Sequence, residues 1–157
     1  MALLTFKGGI HPDDGKSLAK DKAIDLVYPL SQHIGAPATP IVAKGDHVLR
    51  GQKIAEAGGF VSAPIYASVS GTVKAIEPHF NPTGAKVNCI VVENDGEYKE
   101  VEYAPVKPLE EMTKEEILNA IGEAGVVGMG GAGFPTKVKL SPKEPSVSHI
   151  SLLITDV

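Results

Sequence analysis

The sequence predicts a mainly β module followed by the start of an α/β domain, and three observations support this fold class. Glycine (17) and proline (12) are plentiful among the 157 residues, which favours short strands and turns over long helices. Apolar residues recur at period two between residues 41 and 101, as expected for half-buried strands. The first helical pattern begins only at residue 113. The chain is therefore divided into a β module with an N-terminal arm (1–103), a linker (104–112) and an incomplete α/β domain (113–157).

The β module is predicted from short apolar runs that are joined by glycine turns. Residues 25–30 form a candidate first strand, and a later run at 87–93 ends in an Asn-Asp-Gly turn. Val69, Gly71 and Val73 share one face of a strand because alternate side chains point the same way. Two further turns are expected at residues 44–46 and 50–52, and the apolar residues around them are Val42, Val48 and Ile54.

The strings KGDHVLRGQKIA (44–55) and SGTV (70–73) resemble the barrel-sandwich hybrid fold of biotinyl and lipoyl domains. In that fold, glycines turn between short strands and buried valines fill a thin two-layer core. A carrier domain also needs an exposed lysine at a hairpin tip, but the matching stretch, 56–61, reads EAGGFV. We therefore expect a docking or spacer module that carries no covalent cofactor.

The α/β segment begins with a helix that has clear local signals. Thr113 is a candidate N-cap, and Glu116 follows three residues later, which is the spacing of a capping box. Gly125 is a plausible helix end. Near the C-terminus, residues 149–157 have the composition of a buried strand. The apolar stripe of the helix is expected to consist of Ile117, Leu118, Ile121 and Ala124.

A glycine-rich string, GMGGAGFPT (128–136), follows this helix. Such a loop allows backbone N–H groups to approach a phosphate without interference from Cβ atoms. No Gly-Lys-Ser/Thr follows, so the string is not a Walker motif, and it follows a helix where a dinucleotide fingerprint would follow a strand. From the glycines alone, a ligand cradle and a close-packed structural turn both remain open.

The full string GMGGAGFPT with Lys139 is more specific, because it resembles the FMN loop shared by RnfC, a component of the Rnf electron-transport complex, and the flavin subunit of respiratory complex I. Relatives of complex I usually carry Arg where this chain has Met129, which favours the Rnf family. Four other segments agree with that family: FKGGIHP (6–12), PLSQHIGAP (29–37), KGDHVLRGQKIAE (44–56) and KLSP (139–142). The cofactor-binding residues that the resemblance implies are Gly128, Met129, Gly130, Gly131, Ala132, Gly133 and Lys139.

The resemblance further implies an NADH:ferredoxin oxidoreductase subunit that passes electrons between NADH, FMN and 4Fe-4S clusters. In the family, the rest of the flavin domain, a β-grasp segment and the cluster-binding part follow this region. The expected partners are the other Rnf subunits and, indirectly, ferredoxin, at the cytoplasmic side of the cell membrane. Because only the start of the flavin domain is recognisable, this fragment is expected to be inactive alone and to hold no cofactor by itself. The alternative is a non-catalytic docking module with a structural glycine loop.

Composition argues against several other functions. The net charge is −4 and basic residues are not clustered, so no nucleic-acid footprint is expected. No stretch approaches the roughly 20 apolar residues of a membrane span. Cys89 is the single cysteine and cannot by itself ligate an iron–sulfur cluster. No catalytic constellation can be assembled, and no metal site is expected from the histidines, which we interpret as surface or turn residues: His11, His33, His47, His79 and His149.

Overall fold

The computed structural model describes residues 25–81, 84–105 and 107–142. Within this part, strands come first and helical segments follow, as the sequence predicts. The predicted strand at 149–157 lies outside the described residues. The strands are β1 (Asp25–Pro29), β2 (Thr39–Pro40), β3 (His47–Val48), β4 (Lys53–Glu56), β5 (Ile65–Tyr66), β6 (Gly71–Phe80) and β7 (Lys86–Asn94). The helical segments are a 3-10 turn (Leu109–Glu111), α1 (Lys114–Glu123) and α2 (Thr136–Lys139).

The larger sheet has four antiparallel strands in the order β1-β7-β6-β3. Its centre is the long hairpin of β6 and β7, in which Val73 lies opposite Val92 and Phe80 lies opposite Lys86. The register shifts between Val73 and Ala75, and a bulge of this kind bends a strand and increases its twist. The sheet therefore curls around one side of the core.

The smaller sheet, in the order β2-β4-β5, closes the opposite side. A thin core lies between the two sheets, which is the barrel-sandwich architecture that the sequence predicts. Four of the predicted core residues, Val48, Ile54, Val69 and Val73, are at most 5% exposed, and Val42 packs partly buried against them. The core cluster consists of Tyr28, Leu30, Ala38, Val48, Ile54, Ala55, Ile65, Ala67, Val69, Val73, Ile90 and Val92.

The predicted turns form where the sequence places them. Around the first turn, the Asp46 N–H donates to the carbonyl of Ala43, and the Asp46 carboxylate accepts from the Ala43 N–H at 2.7 Å. In the second, the Gln52 N–H donates to the carbonyl of Leu49, and the Gln52 side-chain oxygen accepts from the Leu49 N–H at 2.9 Å. In the turn after β7, the Asn94 side chain accepts from the Gly96 N–H. Side chains of Asp, Asn and Gln thus close the turns locally, which explains why sequence patterns identify them.

Helix α1 begins with the predicted capping box. The Thr113 side chain accepts from the Glu116 N–H, and the Glu116 carboxylate accepts from the Thr113 N–H. The apolar stripe is only partly as expected, because Ile117, Leu118 and Ile121 are half-buried whereas Ala124 is exposed. Ala124 is the C-cap residue, where the helix ends.

Candidate functional site: the glycine loop and its contact with the β module

The predicted ligand loop, residues 128–133, is closed at its base by a short antiparallel bridge. Val127 pairs with Pro135, and the Gly128 N–H donates to the carbonyl of Phe134 at 2.9 Å. Within the loop, the Gly133 N–H donates to the carbonyl of Gly130, also at 2.9 Å. The loop is therefore held by its own backbone hydrogen bonds and has a defined shape.

The glycines of this loop have different roles. Gly133 has a φ of +53°, a conformation that residues with a Cβ rarely adopt. At Gly130 and Gly131, φ lies outside that glycine-favoured range, and a Cβ on either residue would have no atom within 4 Å. Substitution there therefore requires no forbidden φ, and open space is what distinguishes these two positions. The side chain of Met129, between Gly128 and Gly130, is fully exposed.

Lys139, the predicted cation, lies beside the loop. Its Nζ is 6.0 Å from the ring centroid of Phe134 and would be 2.6 Å from a Cβ added to Gly128. Gly128 therefore leaves room for the lysine side chain. The fold brings Lys139 to the first glycine of the loop, although the two residues are eleven positions apart in sequence.

The other side of the loop faces the β module across a cavity of about 800 Å³. The Ile34 N–H donates to the carbonyl of Ala132 at 2.8 Å, so the two parts of the chain are hydrogen-bonded at the cavity edge. In the sequence, this module segment stands out only as part of the family string PLSQHIGAP, with no role of its own. The cavity is lined by Val27, Tyr28, Pro29, Ser31, Gln32, His33, Ile34, Asn81, Gly131 and Ala132.

A second cleft, of about 500 Å³, separates the hairpin tip at residues 56–62 from α1 and α2. Among its lining residues, Lys53 pairs with Glu123 at 2.5 Å, and the hydrogen bond from Lys53 to Glu123 raises the pKa of Lys53. The Tyr66 hydroxyl donates to the Glu123 carbonyl at the end of α1, and burial raises the pKa of Tyr66. These contacts attach the helix to the β module.

Three side chains of the β module bear on the cofactor and histidine predictions. Cys89 is fully buried, and its Sγ donates to the carbonyl of Val87. His33 lies in a bend but is only 8% exposed, so a surface position is wrong for this histidine. His47, by contrast, is exposed and pairs with Asp95 at 3.1 Å. No group of side chains in the described ranges has the composition of a metal site.

Among the described residues, no helix combines the length and the apolar character that crossing a membrane requires.

Comparison with known proteins identifies the class to which this fold belongs. The family model described as "RnfC Barrel sandwich hybrid domain" matches residues 4–97, more than half of the chain. The curled sheet and the thin two-layer core agree with a barrel-sandwich domain. The chain belongs to the RnfC family, as the resemblance in its motifs predicts.

Individual relatives agree with this family. The chain is 47% identical, over 148 positions, to the C subunit of the proton-translocating ferredoxin:NAD(+) oxidoreductase complex of Clostridium ljungdahlii, covering 89% of this chain and 32% of the relative. It is 43% identical to the C subunit of the Na(+)-translocating ferredoxin:NAD(+) oxidoreductase complex of Acetobacterium woodii, covering 94% and 35%. The C subunit of an ion-translocating oxidoreductase complex of Vibrio cholerae is 38% identical, covering 97% and 20%. The chain thus spans about a third of the length of the first two curated relatives, and less of the third.

Proposed function

We propose that this chain is the N-terminal part of an Rnf-type NADH:ferredoxin oxidoreductase subunit, and that residues 128–133 with Lys139 form part of its FMN site. The observation that carries the proposal is the open space at Gly130 and Gly131, where no atom lies within 4 Å of the place that a Cβ would take. Successive backbone N–H groups without side chains can approach a phosphate or a ring closely. The residues present therefore fit such a group.

Each part of the loop would have a distinct task. The N–H groups of Gly130 and Gly131 would donate to the ligand, and the Lys139 ammonium would offset phosphate charge. Gly133 and Phe134 would hold the loop in shape through their hydrogen bonds to Gly130 and Gly128. A bound FMN would supply hydride-accepting and one-electron chemistry, and the protein would position it and tune its potential. No residue of this chain is assigned a catalytic role.

The proposed setting follows the names of the relatives, which are subunits of ion-translocating oxidoreductase complexes. The partners would be the other Rnf subunits at the cytoplasmic side of the membrane, with ferredoxin reached indirectly. The 4Fe-4S clusters would be bound outside these 157 residues, because Cys89 alone cannot supply four thiolate ligands.

Flavin retention by the full-length subunit tests the site. We expect Gly131→Val to abolish retention of FMN, because the added side chain would fill the space through which the ligand reaches the backbone. The matched control is Ala120→Val, which adds similar bulk at an exposed position of α1 and is expected to retain FMN. Stoichiometric FMN in purified Gly131→Val protein, measured by absorbance and release, would refute the site assignment.

A second measurement concerns the 157-residue chain itself. We expect it to bind FMN weakly or not at all, because a ligand site normally buries most of the ligand surface and Gly130 and Gly131 are exposed here. The competing proposal is a docking module with a purely structural glycine loop, and the self-contained core of the β module favours it. Under that alternative, substitution of Gly131 would leave FMN retention by the full-length subunit unchanged.

A further inference from the structure

We infer that His33 is a positioning residue that holds the glycine loop against the β module. Its Nε2 is 3.0 Å from the backbone nitrogen of Ala63, and its Nδ1 is 3.1 Å from the carbonyl oxygen of Ile34. A peptide N–H can only donate and a carbonyl can only accept. Nε2 is therefore the acceptor and Nδ1 carries the proton, so the imidazole is neutral in its Nδ1–H form.

On one side, the imidazole is joined to the hairpin tip of the module. The Ala36 N–H donates to the carbonyl of Val61 at 2.9 Å, which brings the bend that contains His33 against this tip. Ser62 Oγ accepts from the Gly58 N–H at 2.9 Å and lies 3.5 Å from Nε2 of His33. The ring thus supplies the acceptor that the buried N–H of Ala63 requires.

On the other side, the backbone next to His33 supports the glycine loop. The N–H of Ile34 donates to Ala132 at 2.8 Å. A Cβ on Gly133 would lie 3.0 Å from the carbonyl oxygen of Gln32 and 3.3 Å from Cα of His33. The loop therefore rests on the backbone of residues 32–34, and a side chain at Gly133 would push it away.

His33 consequently links two segments that are far apart in sequence, the hairpin tip near Ala63 and the loop near Ala132. Without the imidazole acceptor, the buried Ala63 N–H would be left unpaired, and the bend would lose the contact that fixes it to the tip. The loop would then lose its hydrogen bond from Ile34. This positioning stands independently of the ligand, whereas its effect on flavin binding rests on the proposed function.

Amide hydrogen exchange in the 157-residue chain tests the positioning. His33→Leu removes the acceptor, and His33→Gln offers an amide oxygen that can accept from Ala63 in its place. We expect His33→Leu to speed exchange of the Ala63 and Ile34 amides by about tenfold or more, and His33→Gln to restore much of the protection. Slow exchange in the β6–β7 ladder reports that each variant is folded.

Two further readouts make the inference specific. Nitrogen-15 shifts of the imidazole should show the Nδ1–H form of His33. Gly133→Ala should speed exchange of the Ile34 amide, because the added methyl group would push the loop away from residues 32–34. Gly131→Ala adds its methyl group in open space and should leave the Ile34 amide protected. An Nε2–H imidazole, or unchanged Ile34 exchange in folded His33→Leu protein, would overturn the inference.

Flavin retention in the full-length subunit separates this inference from the proposed function. We expect His33→Leu to weaken FMN binding about tenfold or more and His33→Gln to recover it, with Gly131→Val losing FMN while Ile34 stays protected. If His33→Leu frees the Ile34 amide but FMN remains bound as before, the positioning role holds and the flavin assignment of the loop is refuted. If FMN is lost without any change at Ile34, the positioning role is refuted.

Discussion

Replacing Gly71 by alanine should strongly destabilise the β module. Gly71 begins β6, where it pairs with Val48 of β3 and with Asn94 of β7. A Cβ there would lie 2.0 Å from the carbonyl oxygen of Glu93 and 2.9 Å from its carbon. Both are backbone atoms of the neighbouring strand, so the clash can be removed only if β6 and β7 separate at the point where three strands meet.

The expected loss of unfolding free energy follows from that separation of β6 and β7. Forcing extra atoms into a well-packed site costs typically about 1–3 kcal/mol and occasionally more, and here no flexible side chain can move aside. We expect about 3 kcal/mol of lost unfolding free energy, which should lower the Tm by roughly 10 °C. Urea titration followed by circular dichroism measures the first quantity, and a thermal scan measures the second.

The matched control for this measurement is Gly130→Ala. The same methyl group there meets no atom within 4 Å and no glycine-favoured φ, so we expect a change within about 0.5 kcal/mol. If Gly71→Ala were as stable as Gly130→Ala, the close approach of β6 and β7 at this point would not exist as described.

Three other predictions concern the attachment of α1 and the cofactor content. Tyr66→Phe removes the hydroxyl that donates to the carbonyl of Glu123, so amides of α1 should exchange roughly tenfold faster while β6–β7 amides do not change; equal rates in both proteins would contradict this attachment. Hydrogen bonds from the Thr113 N–H and then its side chain hold the pKa of Glu116 below its ordinary value. The folded pKa is the lower one, so this stabilisation is complete at pH values above the unfolded pKa of about 4.3 and is lost as pH falls through the folded pKa. Acid titrations of helix content should show this pH dependence, and Thr113→Ala should reduce it. The purified chain should contain no stoichiometric iron or acid-labile sulfide, because Cys89 can supply only one of the four thiolate ligands that a cluster uses. Stoichiometric iron and sulfide in the monomer would contradict this expectation.

The local elements of this protein could be predicted because their determinants are close in sequence. The capping box of α1 needs only Thr113 and Glu116, which lie three residues apart and satisfy each other's backbone groups. The turns at 44–46 and 50–52 likewise close through side chains within or next to the same turn. Period-two spacing placed Val69 and Val73 in the core because alternate residues of a strand share one face.

The contacts between segments could not be predicted, because they join residues that only the folded chain brings together. His33 and Ala63 are thirty positions apart, and nothing in a lone histidine between Gln32 and Ile34 indicates an acceptor for a distant N–H. The same holds for Ala132, which accepts from Ile34 across nearly a hundred residues. The division of the chain at 104–112 stays a prediction, and the contacts of Glu123 with Lys53 and Tyr66 show that the segment after it packs on the β module.

The sequence by itself determined the barrel-sandwich architecture, the start of α1 and the family, because strand period, turn chemistry and a specific glycine string are local properties of the chain. It also identified the glycine loop, but it could not rank the glycines. Only the tertiary structure separated Gly133, which is pressed against the backbone of residues 32–34, from Gly130 and Gly131, which face open space. The physical reason is that a glycine's role depends on what its missing side chain would touch, and those atoms come from the other end of the chain.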